Sequence, residues 1–369
     1  MFAFLCFELL TPRRGADTES RLERLEGGIW AVLQALRPAA HVQGAHQRYR
    51  GASRCSNLVP MATPRALLVD PDQALNYHLV SRCVRRSWLC GWDKSQGKDF
   101  SHRKSALQAR LFRLVRCFAV ELYGFAVMSN HFHLVVRYDP LACAHWSAEE
   151  VAERWVAAVA PPGLLDDDQS RLAQVQALCA ESKEIERVRR RLGSLSAFMQ
   201  HLKQPIARQA NQEDGVSGHF FEQRFYSGAL LSEAAVLAAM AYVDLNPVRA
   251  RIAEDIEQCE HTSIAERLLE NSPERLRQLL SPIVSGLASD EHLTLSITLS
   301  DYIAALRALV AGENNSTRLH ERRVSNDRIQ RWVQQVGTLA KRQRAFGYPA
   351  QLKQWLGRHN MRALETPFV

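Results

Sequence analysis

Lysine is scarce in this chain. Seven of its 47 basic residues are lysine and the other 40 are arginine, against 39 acidic residues, for a net charge of +8. Arginine's planar fork matches phosphate oxygens in pairs, so the bias suits a nucleic-acid partner. A GC-rich coding sequence yields the same bias, and +8 over 369 residues is a mild excess. Paired cysteines are missing too. The eight cysteines are scattered with no CxxC spacing, which argues against a zinc ribbon or a thioredoxin-like site and reads as reduced thiols of a cytoplasmic protein. The N-terminal "MFAFLCFELL" is apolar but too short to cross a bilayer. Arg13 and Arg14 follow it, whereas a signal peptide carries its basic residues in front. No membrane partner is expected. There is no internal repeat and no low-complexity tract.

What remains is ordinary globular composition, 46% hydrophobic and 23% charged, with length for about two domains. Residues 1–60 look unlike the rest. Met61 is expected to be the natural start, with 1–60 an upstream extension or a poorly ordered tail. From Asn76, "NYHLVSRCVRR" reads as a strand. In the next segment Leu107, Leu111, Leu114, Val115 and Phe118 fall at helical spacing, with Ser101 as N-cap. The runs "ELYGFAVMS" and "HFHLVVRYD" form a hairpin turning at Ser129 and Asn130. A polar stretch, about 140–193, reads as a loop and helical insertion. The segment "SLSAFMQHLKQPIARQANQEDG" predicts a helix interrupted or ended near Pro205, "GHFFEQRFYSGALL" a strand, and "SEAAVLAAMAYVDLNP" an alanine-rich helix stopping at Pro247. The order is strand, helix, strand, strand, helix, strand, helix. It predicts an α+β fold, a ferredoxin-like antiparallel sheet with helices on one face. A mainly helical, basic region, 266–369, follows the 61–265 domain.

Two spacings could carry chemistry. His131 and His133 flank Phe132, and residues two apart on a strand share a face, so both imidazoles would open into one space as metal ligands. A lone His-x-His triplet is equally compatible with a structural pair. Tyr242 and Asn246 lie four apart on the alanine-rich helix and share its face. Read blandly, Tyr242 packs in a core and Asn246 ends a helix before proline.

Taken together and in order, "YHLVSRC", "MSNHFHLVV", "GHFFEQRFYS" and "AYVDLNPVRA" resemble the HUH single-tyrosine transposases, of the insertion-sequence transposase-17 type and its REP-associated relatives. The resemblance covers about residues 63–265. It implies His131 and His133 as metal ligands with Asn246 as the third, Tyr242 as the nucleophile, Mg²⁺ or Mn²⁺ as cofactor, and single-stranded or hairpin DNA as partner. The product would be a 5′-phosphotyrosine with a free 3′-hydroxyl. Relatives differ in whether the tyrosine serves its own protomer or a partner's, so a homodimer is compatible. Many relatives have proline where this chain has Ser129, and the 140–193 segment is expanded relative to the smallest members. Arg82, Arg85, Arg86 and Arg224 are expected on strands beside the site, contacting phosphates, or else as solvated edge charge. Phe220, Phe221 and Phe225 fit base stacking less well than core packing. Lys341, Arg342 and Arg344 suit a DNA-holding surface or an exposed helix face. Two competing functions are a non-cleaving DNA- or RNA-binding protein derived from a transposase, and a hydrolase that activates water on the histidine pair.

Overall fold

The structure is a computed structural model and describes residues 68–70, 72–84, 90–93, 97–222, 224–269, 280, 298–311, 335–341 and 343–361. The 1–60 extension, Met61, Arg85, Arg86 and Arg342 lie outside the described residues, as does the side chain of Lys341.

The fold is α+β. Strand β1 (Leu75–Arg82) is followed by a two-strand ribbon, β2 (Trp92–Asp93) and β3 (Lys98–Asp99), then helix α1 (His102–Val115). The hairpin is β4 (Val120–Val127) with β5 (His131–Tyr138). Residues 140–193 hold a short 3₁₀ turn (Ala142–His145) and helices α2 (Ala148–Val159), α3 (Pro162–Leu165), α4 (Asp168–Cys179) and α5 (Ser182–Leu192). Helix α6 (Leu195–Asp214), β6 (Tyr226–Leu230), α7 (Glu233–Asp244) and α8 (Asn246–Arg249) complete the central unit. Beyond it come α9 (Ser263–Leu269), α10 (Leu299–Ala311), β7 (Ala345–Phe346) and α11 (Pro349–Arg358).

The main sheet has the order β4-β5-β1-β6-β7. Its first three pairings are antiparallel, and β7 adds to β6 in parallel. The sheet is therefore mixed rather than purely antiparallel, because the C-terminal region feeds its edge instead of standing apart.

Alternation along the strands splits the sheet into two faces. Tyr77, Leu79, Phe132, Leu134 and Val136 pack into one core, with Leu107, Leu111 and Leu114 of α1 and Phe198, Leu202 and Ile206 of α6. The inserted helices join this core through Val151, Val156, Ile185, Val188 and Leu192. Phe220, Phe221 and Phe225 are buried in it as well, which places all three in packing rather than on a DNA surface.

Helices were expected on one face, yet α7 covers the other, over Tyr123, Ala126, Val135 and Leu230. The reason is in its composition. Every α7 residue from Ala234 to Ala241 is buried, and a helix apolar all round needs cover on every side. Its small side chains let it approach closely. A Cβ on Gly124 of β4 would stand 3.7 Å from Met240 Cγ and 3.2 Å from Ser263 Oγ.

Helix α6 does not break at Pro205; it runs through Leu195–Asp214. Proline removes the N–H that would bond the carbonyl four residues back. That carbonyl, on His201, instead accepts a hydrogen bond from Arg110 Nε on α1 at 2.7 Å. Ser101 stands at the N-cap of α1 without capping it, because its hydroxyl donates to Asp99 Oδ1 at 2.7 Å. Two buried ionic sites tie elements together. Arg103, 1% exposed, joins α1 to Glu213 and Asp214 at the end of α6, both at 2.7 Å. Asp244 ends α7 fully buried and accepts from Tyr302 Oη at 2.7 Å, Ile264 N at 2.9 Å and Ser263 Oγ. Burial pushes its carboxyl above the usual range despite Arg267 nearby.

Candidate active site

The site lies where the second sheet face meets the end of α7. Strand β5 turns His131 and His133 to that face. In the register with β1, Arg82 stands opposite His131 and Val80 opposite His133. Two residues back along β1, His78 shares the face and reaches His133. Its Nε2 lies 2.9 Å from His133 Nδ1, and the rings stack with centroids 5.2 Å apart. His78 and His133 are 1% and 3% exposed, while His131 is half-buried. The His131 and His133 rings meet edge to face at 4.8 Å.

From the helix side, α7 delivers Tyr242 and α8 delivers Asn246 and Arg249, at the spacings of four and three that put all three on one face. The Tyr242 ring stands 5.8 Å from the His133 ring and 5.6 Å from that of His78, edge-on to both. Asn246 Nδ2 is 3.3 Å from His133 Nε2. The Arg249 guanidinium lies over the Tyr242 ring, 4.2 Å from its centroid. The alanine-rich helix ends at Asp244, three residues before Pro247. The chain pivots at Leu245 into the separate α8 turn, which carries Asn246 to His133 and Arg249 over the Tyr242 ring.

Strand β6 closes the flank. The Tyr226 ring packs 5.9 Å from His78, and its hydroxyl donates to the Gln343 carbonyl. Gly228 pairs with His78 in the register. A Cβ there would collide with the Tyr226 hydroxyl and stand 2.8 Å from Phe346 Cε2. Glycine is what lets the tyrosine lie across the strand.

No protein-family model matches the chain, and no curated protein does. A solved REP-associated tyrosine transposase bound to a REP hairpin is similar over 60% of this chain and 94% of that one, at 12% identity and a TM-score of 0.28.

The donor set suits a small divalent ion. His131 Nδ1 is 2.7 Å from Asn130 Oδ1, and an amide oxygen there puts the proton on Nδ1 and the lone pair on Nε2. His133 Nδ1 is likewise engaged by His78, which turns Nε2 toward Asn246. Asn246 Nδ2 faces the His133 Nε2 lone pair at 3.3 Å as an N–H donor, so the amide oxygen is the atom of Asn246 that would ligate an ion. The set is two imidazoles and an amide. Among the described residues no group of three or more His, Cys, Asp or Glu forms a metal-holding cluster. His78 is hydrogen-bonded to His133, outside that donor set.

Tyr242, His131, His133 and Asn246 thus converge within one chain. The arginines divide differently. Arg82 is half-buried at the end of β1 beside His131, whereas Arg224 is exposed in the segment before β6 rather than on a strand. Sequence reasoning missed His78, Tyr226 and Arg249. His78 and Arg82 share a face of β1 at a spacing of four, and Arg249 continues the face of Tyr242 and Asn246. Both periodicities could have found them.

Proposed function

We propose that this chain is a transposase, a single-strand DNA endonuclease that cleaves and rejoins through a covalent 5′-phosphotyrosine. The observation that supports this most is the Tyr242 ring at 5.8 Å from that of His133 in the same chain. Half-buried at the edge of the second core, the phenol meets two imidazoles edge-on, those of His78 and His133. The sheet order β4-β5-β1-β6, with α1 and α6 packed together on one face, supports a ferredoxin-like reading of the central unit.

His131, His133 and Asn246 would hold Mg²⁺ or Mn²⁺. When bound, such an ion withdraws charge from a phosphodiester and lowers the barrier to attack by an anionic nucleophile. The chain's own groups do the rest. His78 and Asn130 fix the two imidazole rings, and α7 holds the phenol against them. Single-stranded or hairpin DNA is the proposed substrate, and its phosphates suit the arginine-rich composition. With no helix among the described residues long and apolar enough to cross a membrane, a cytoplasmic location is part of the same proposal.

The test is one incubation of the full chain with end-labelled single-stranded DNA and Mn²⁺, resolved on a denaturing protein gel. A labelled band at the protein's mass that disappears in Tyr242→Phe is the expected result. An adduct that survives this change removes Tyr242 from the mechanism. Cleavage without an adduct points to water activation on the histidines, and binding without cleavage to a non-cutting binder.

A further inference from the structure

The geometry points to Arg249 as the side chain that receives the scissile phosphate beside Tyr242, with Arg82 as a second clamp on the strand side. This rests on the transposase reading and adds the group that would touch the reacting phosphate.

Two features of Arg249 carry the inference. Its guanidinium carbon lies over the phenol that would attack, 4.2 Å from the ring centroid. Its Nε and Nη1 are buried with no hydrogen-bond partner among the described residues. A guanidinium has five N–H donors and accepts nothing, and no carboxylate or carbonyl among the described residues takes these two. Arginine nitrogens without a hydrogen-bond partner among the described residues also occur at Arg191 Nε and Arg267 Nη1, but other buried or half-buried arginines are matched. Arg103 is matched to two carboxylates, and Arg113 to the carbonyls of Ala157 and Ala160. Arg82 repeats the pattern of Arg249. Its Nε is buried and has no partner among the described residues, and it stands opposite His131 in the register. Two such arginines thus flank the imidazoles and the phenol, one from the sheet and one from the helix. A phosphodiester would satisfy both, and fork-shaped donors suit the charge that builds on its oxygens during attack.

The step is a transesterification. The Tyr242 hydroxyl oxygen forms a bond to phosphorus as the bond from phosphorus to the 3′-oxygen breaks. The phenolic proton passes to water, and the departing 3′-oxygen takes a proton from water. Nothing is oxidised or reduced. Arg249 supplies hydrogen bonds to the non-bridging oxygens and changes no covalent bond.

The experiment compares Arg249→Gln and Arg249→Lys in the full chain. One arm measures the rate of adduct formation on a single-stranded oligonucleotide with Mn²⁺. The second places each change on a Tyr242→Phe background and measures affinity for the same oligonucleotide against salt. Arg249→Gln is expected to slow the adduct by about 100-fold or more, to weaken binding, and to reduce the salt slope by about one. Arg249→Lys keeps the charge and the slope but loses the fork, so its adduct rate should fall about 10-fold. A merely structural prop under the phenol would change the rate and leave the slope alone, and that result overturns the proposal. A wild-type adduct rate in Arg249→Gln does so too. If Arg249→Gln melts early, Arg249→Lys decides, and a wild-type rate in that variant is fatal. Should wild type form no adduct while Arg249→Gln still binds with a reduced slope, cleavage fails and the phosphate contact stands. If Tyr242→Phe binds no oligonucleotide at all, both fail.

Discussion

The two faces of the central sheet are built from alternate residues of the same strands, and they do opposite things. On β5, Phe132, Leu134 and Val136 enter a core closed by α1 and α6, while His131 and His133 turn toward Tyr242 and Asn246. On β1, Tyr77 and Leu79 go one way, and His78 and Arg82 share the face of the imidazoles. One face supplies cohesion by excluding water from apolar area. The other buries a second apolar core under α7 and, beside it, holds polar groups at fixed separations by hydrogen bonds between side chains. The lesson is that a period of two lets one strand anchor the fold and present reactive groups without either task loosening the other.

Adjacent residues on β5 give the sharpest way to break this comparison. His133→Ala should lower adduct formation at least 10³-fold, since it removes a proposed metal donor and the neighbour of the phenol. Its loss in thermal stability should be smaller than that of Leu134→Ala. Leu134, 1% exposed, should cost about 3 kcal/mol when truncated, measurable by urea unfolding, while adduct formation persists under conditions where the variant stays folded. A Leu134→Ala protein that is fully folded but inactive would mean the two faces are coupled.

A smaller effect tests whether histidine has a different task on the apolar side. His201, on α6, packs edge-on to Trp155 at 5.3 Å, and its Nε2 lies 3.1 Å from Arg191 Nη2. A guanidinium only donates, so that nitrogen must accept and the ring must be neutral. Burial first, then Arg191 and Arg110, pushes its pKa down to about 4. The folded form therefore binds fewer protons than the unfolded one. Its contribution is complete above pH 6.5 and is lost as pH falls toward 4. Because the ring is only half-buried, the loss should be about 1 kcal/mol. His201→Gln should flatten the pH dependence of the melting temperature by that amount, and an unchanged slope would assign the acid sensitivity elsewhere.

Much of this arrangement was legible in the residues alone. The hairpin and the pairing of His131 with His133 follow from period-two spacing, and the shared face of Tyr242 and Asn246 from a spacing of four. The side of the sheet that α7 takes was not legible, because an alanine-rich segment apolar around its circumference carries no directional moment. Pro205 misled for a physical reason. Part of what a proline costs a helix is the carbonyl it orphans, and here Arg110, 91 residues away, supplies that carbonyl with a donor. His78 was missed because its partner His133 is 55 residues distant, and a single imidazole in an apolar strand shows nothing of such a neighbour. Arg249 looks like surface charge until the pivot at Leu245 is known.

That pivot has a consequence for how the molecule would work in dilute solution. Phenol, imidazoles and amide all come from one polypeptide between His78 and Arg249, so under the proposed function each copy would act with its own groups. Turnover per molecule should then be independent of protein concentration. Mixing a Tyr242→Phe copy with a His133→Ala copy should restore nothing, because neither can lend the other what it lacks.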